Sequence, residues 1–130
     1  MQYDKFIGLV HNRARLASSG EAVRATRATL EVLGQRLFGG EPKDLAAQLP
    51  QEIGRFLLEA DESESFGLNE FYERVSQKEG VDLPVAVHHA RAVMTVVQEA
   101  VSAGEWDDLQ EQLPDEYNDL FEAEDIEQTT

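Results

Sequence analysis

Residues 22–57 read AVRATRATLEVLGQRLFGGEPKDLAAQLPQEIGRFL, and residues 86–121 read AVHHARAVMTVVQEAVSAGEWDDLQEQLPDEYNDLF. A shift of 64 lays one stretch on the other without a gap and superposes Gln48-Leu49-Pro50 on Gln112-Leu113-Pro114. Identity holds at 13 of these 36 positions, where composition alone gives roughly two or three. The shared residues include Arg27 with Arg91, Glu41 with Glu105 and Asp44 with Asp108. Self-similarity at a fixed period marks a duplicated structural unit.

The hydrophobic spacing gives that unit its class. Ala22, Val23, Thr26, Leu30, Leu33 and Leu37 form one helical stripe that runs to Gly39-Gly40, and Ala86, Ala90, Val93, Met94, Val97 and Val101 form its counterpart. Upstream, Tyr3, Phe6, Ile7, Val10 and Ala14 predict a first amphipathic helix. Leu68, Phe71, Tyr72 and Val75 repeat it after a one-residue slip, and Gly80 ends the run. Downstream, 41–48 and 107–112 read as short helices. Pro50 suits the first position of a fourth helix carried by Ile53, Phe56 and Leu57. The acidic stretch from Glu59 to Glu64 reads as a solvated linker. No alternating strand pattern competes.

The expected architecture is one all-α domain over 1–130, a helical bundle of two tandem four-helix repeats. Repeat one covers about 1–60, repeat two about 66–123, and an acidic tail follows over 124–130. A unit of about 60 residues is marginal alone, so the copies are expected to pack face to face about a pseudo-two-fold axis.

Composition narrows the function. The chain has no cysteine, which excludes disulfides, thiolate zinc sites and a cysteine nucleophile and suits a reducing cytoplasm. Met1 to Leu9 carries Asp4 and Lys5 and lacks the apolar run of a secretory signal, so no export is expected. No apolar run approaches the roughly 20 residues that span a bilayer. With 26 acids against 11 bases, a net charge of −15 repels phosphate backbones and anionic headgroups, which argues against nucleic acid and membrane partners. Only Lys5, Lys43 and Lys78 are lysines, a balance that also suits solubility in a high-salt host.

Tyr3-Asp4-Lys5-Phe6, Arg24-Ala25-Thr26-Arg27-Ala28-Thr29-Leu30, Leu33-Gly34-Gln35-Arg36-Leu37, Glu70-Phe71-Tyr72-Glu73-Arg74-Val75, Glu99-Ala100-Val101-Ser102-Ala103-Gly104-Glu105 and the two Gln-Leu-Pro motifs make the chain resemble the family called domain of unknown function 2267 over nearly its whole length. The resemblance implies a bacterial or archaeal helical protein and transfers no activity, cofactor or catalytic residue.

Among candidate groups, the duplicated Arg27, Arg91, Glu41, Glu105, Asp44 and Asp108 stand out. An arginine in the middle of each long helix, followed by carboxylates on the next short helix, predicts a charge-assisted pair that braces the two helices. The same six residues would be the polar groups of a cleft between the repeats. His88 and His89 point about 100° apart on one helix and poorly share an ion; His88 is expected at the surface, and nothing brings His11 to them. Trp106 replaces Pro42 of the other copy and suits either a core or a contact surface. EF-hand, Walker, dinucleotide and nucleophile-elbow patterns are missing, and Gly39-Gly40 reads as a helix stop. The sequence therefore favours a non-catalytic, cytoplasmic interaction module that docks a protein partner or a second copy of itself, with no cofactor or metal. The alternative is a small-ligand or metal-binding protein, or an enzyme, using the inter-repeat cleft.

Overall fold

A computed structural model describes residues 1–122; the acidic tail expected over 124–130 lies outside them. The described residues form α1 (Tyr3–Arg13), α2 (Ser19–Arg36), α3 (Glu41–Ala47), α4 (Gln51–Leu57), α5 (Leu68–Glu79), α6 (Leu83–Ala100), α7 (Ala103–Glu111) and a 3-10 helix, η1 (Asp115–Phe121), with no strand among them.

The two 18-residue helices are the axis of the bundle. At 1.5 Å per residue each runs about 27 Å. Helices α2 and α6 pack on one another, α1 lies against α2 and α6, α5 lies against α6 and α2, and α3 meets α7. Phe6, Val10, Leu30, Leu33, Phe71, Val75, Val93 and Val97 are fully buried between them. Removal of these apolar side chains from water is the main force holding the bundle together.

Local chemistry sets the ends. The Ser18 hydroxyl accepts from the Glu21 amide (3.2 Å), and Ser102 accepts from Glu105 (3.2 Å), so each satisfies an orphan N–H at a helix start. Gly80, at φ 77°, closes α5 in the left-handed conformation that glycine adopts without strain.

Three boundaries differ from the sequence pattern. Helix α2 ends at Arg36 and does not run to Gly39-Gly40, because Leu37 turns extended and is buried while its carbonyl accepts from Ser63 Oγ (2.6 Å). The acidic linker is thus exposed yet tied down, with the Glu64 amide also donating to the Gln35 carbonyl (2.7 Å). Pro50 and Pro114 cap α4 and η1 from outside; Gln51 and Asp115 are the first helical residues. Helix α7 starts at Ala103, earlier than the expected 107, because Ser102 supplies its cap.

Candidate functional site

The six residues singled out by the duplication divide into two groups. Arg27 lies nine residues before the end of α2, about 14 Å along the axis, too far for its side chain to reach α3. It is exposed, bonds Glu31 one turn on (2.9 Å), approaches Glu59 (3.9 Å) and covers the Phe56 ring at 5.8 Å. Arg91 makes the corresponding turn toward η1: its Nε donates to the Asp119 carbonyl (3.1 Å) and its Nη2 pairs with the Asp119 carboxylate. Tyr72 donates to the same carboxylate (2.8 Å). Burial and the Asp119 charge together push the Tyr72 hydroxyl above the ordinary phenol range. The expected pairing of Arg27 with Glu41 or Asp44, and of Arg91 with Glu105 or Asp108, is therefore not the one formed. Arg91 braces η1, the fourth element of the second half, whereas Arg27 stands in solvent over the Phe56 ring of α4.

The acids do converge, on one another. Glu41 at the start of α3 and Glu105 in the first turn of α7, two helices that meet, are 7% and 8% exposed. Burial is the largest influence on Glu41; with the Glu105 contact and the charges of Asp108 and Asp44, it pushes Glu41 up to about 8. The Oε2 atoms of both glutamates are shut from solvent and lack a partner among the described residues. On either side the chain makes matching contacts: the Ser102 amide donates to Gln48 Oε1 (2.7 Å) and the Phe38 amide to Gln112 Oε1 (3.0 Å). Under the shift of 64, these two bonds are equivalent. Asp44 and Asp108 are themselves exposed.

A second buried polar pair was not singled out from the sequence. His89 Nδ1 bonds Glu79 Oε2 at the junction of α5 and α6, both side chains are buried, and Glu79 Oε1 has no partner among the described residues. The signal lay in the alignment, which sets His89 on the apolar stripe opposite Ala25. His88, expected at the surface, is half-buried with Nε2 3.3 Å from the Ala14 carbonyl. Trp106 belongs to the core, edge to face with Phe121 at 5.2 Å.

Arg36 is 4% exposed and donates to the Phe66 carbonyl (2.8 Å), which also accepts from Tyr117 (2.8 Å). The rings of Phe38, Phe66 and Tyr117 surround its guanidinium at 5.4–6.0 Å, so cation–π attraction takes the place of a carboxylate. The arginine thereby fastens the linker to both α2 and η1.

No three His, Asp or Glu side chains converge on a cation position among the described residues. An open depression lined by Asp107, Gln110, Glu111, Leu113, Asp115 and Asn118 is an acidic surface feature. No helix of the described residues is long and apolar enough to cross a membrane. No functionally curated protein matches the chain. The sequence profile of the family described as an uncharacterized conserved protein, DUF2267, matches residues 3–120. That match runs from the start of α1 to one residue short of the end of η1, and the chain belongs to the DUF2267 family.

Proposed function

We propose that this protein is a non-catalytic, cytoplasmic interaction module built as two tandem four-helix repeats about a pseudo-two-fold axis. It docks a protein partner or a second copy of itself. One observation carries the reading: Glu41 and Glu105, common to both halves, are buried at the α3–α7 seam between the equivalent Gln48 and Gln112 bonds, and Arg91 braces η1. They serve the scaffold, which leaves the outer surface for recognition. The reciprocal packing of α1 on α6 and α5 on α2 supports the two-fold arrangement, and the net charge of −15 disfavours nucleic acid and anionic membrane as the partner.

The test is affinity capture of the tagged protein at its host's own salt, read by mass spectrometry, with light scattering for oligomeric state. A specific partner or a stable dimer is expected; a strict monomer that retains nothing counts against the module. The unpartnered Oε2 atoms of Glu41 and Glu105 favour one rival, a ligand or cation held between the halves. Thermal unfolding across a metal and metabolite panel separates the two, since a ligand at 100 times its Kd adds roughly 2.7 kcal/mol to stability.

A further inference from the structure

Glu41 and Glu105 are more than nine-tenths buried on α3 and α7, which meet, and the Oε2 atom of each is shut from solvent with no partner among the described residues. A carboxylate buried without a donor or a cation is costly to keep charged, and two at one seam are costlier, so the neutral form of one of them is favoured. The groups acting on Glu41 are Glu105 and Asp108 from α7 and Asp44 from its own helix, all acids. Helix α4, packed on α3, brings Glu52 and Arg55, both exposed. Lys43 is exposed as well. From η1, which touches α7 through Phe121, Asp119 is held by Arg91 and Tyr72, Glu116 accepts from the Leu68 amide, and Asp115 is exposed.

We propose that Glu41 and Glu105 form a proton-operated latch: with one of the pair neutral α3 stays against α7, and loss of that proton as pH rises leaves two buried like charges at the seam and loosens it. The flanking Gln48 and Gln112 bonds involve only neutral groups, so they persist and limit the opening to the helix ends between them. The sign follows from proton counts. Between the ordinary glutamate value of 4.5 and about 8 the folded chain keeps a proton on Glu41 that the unfolded chain has lost. The unfolding constant therefore rises about tenfold per pH unit across that window and levels off above it.

Trp106, the one tryptophan of the chain, adjoins Glu105 and is buried against Phe121, so its emission reports the seam. The experiment follows Trp106 emission and the unfolding midpoint of the full chain from about pH 5 to pH 9.5 at constant ionic strength, for wild type, Glu41→Gln and Glu105→Gln. In wild type a red shift is expected near pH 8, together with a falling midpoint. In Glu41→Gln the transition near pH 8 should be absent from both profiles, because the amide carries no charge at any pH. Glu105→Gln removes the neighbouring charge and should move the transition to lower pH; this variant keeps the test decisive if Glu41→Gln does not fold. A wild-type profile without a transition, a Glu41→Gln profile that parallels wild type, or a Glu105→Gln transition left in place would overturn the latch. So would recovery of the low-pH emission at pH 9 on adding millimolar Mg²⁺ or Ca²⁺, since the pair would then be a cation site.

Discussion

The two halves of the chain close their fourth elements by different physics. In the first half α4 lies against both α2 and α3. A Cβ on Gly34 would stand 2.3 Å from the Leu57 carbonyl oxygen, and one on Gly54 would stand 2.6 Å from that of Ala46. Bare backbone lets the helices approach to contact. In the second half the equivalent positions are Gln98 and Asn118, which deny that approach. The seven-residue segment there is the 3-10 helix η1, and it lies against α6 and α5. Tyr72 and Arg91 hold it through Asp119. Two stretches identical at 13 of 36 aligned positions thus support a backbone-to-backbone closure and a side-chain hydrogen-bonded one.

The same contrast runs through the core. Ala14 and Ala25 are buried in the first half, while their counterparts Glu79 and His89 form a buried polar pair in the second. Removing one partner strands the other, so His89→Ala should cost about 3–5 kcal/mol in urea denaturation, the largest effect expected here. The double variant Glu79→Met with His89→Leu restores an apolar contact of similar volume and should fall within about 1 kcal/mol of wild type or exceed it. Equal damage from the single and double variants would show that the pair does more than replace the apolar contact of the first half.

The glycine closure is next in size. Gly34→Ala forces α4 away from α2 because the atoms it meets are backbone, and it should cost about 1–3 kcal/mol. Gln98→Ala, at the equivalent position, is exposed and should change stability by less than about 0.5 kcal/mol. If both alanines are neutral, the close approach in the first half contributes nothing distinctive.

The helices were legible because burial imposes a 3.6-residue period that composition cannot hide: the Leu30–Leu33–Leu37 and Met94–Val97–Val101 stripes mark where α2 and α6 lie in the chain. Helix ends were less so. The stop at Arg36 depends on Ser63 and Glu64 returning to the end of α2, a contact 26 to 29 residues away in the chain that no local pattern encodes. Among the polar residues, the 64-residue shift picked out Glu41 and Glu105, which are buried, together with Asp44 and Asp108, which are exposed, and suggested arginine partners for them. A residue near the seam of two copies can meet its own equivalent, as Glu41 meets Glu105, whereas reasoning within one copy looks for a neighbour of opposite charge. The His89–Glu79 pair was hidden differently: its positions are apolar in the other half, and only the mismatch with Ala25 hinted at burial.

The arginines give the finest comparison, since Arg27 and Arg91 are identical in sequence position and unlike in surroundings. Arg91 is half-buried, donates to the Asp119 carbonyl and completes a cluster with Tyr72. Its replacement by alanine leaves Asp119 without its cation and η1 without its anchor, and should cost about 1–3 kcal/mol, with the Tyr72 phenol titrating at still higher pH. That direction follows because Arg91 now opposes the rise caused by burial and Asp119. Arg27 stands in solvent, where its Glu31 contact is screened and holding the side chain in place costs entropy. Arg27→Ala should therefore change stability by at most about 0.5 kcal/mol. A loss from Arg27→Ala as large as that from Arg91→Ala would mean that its contact with Phe56 holds α4 in place, and that the two halves share a dependence on this arginine despite their different closures.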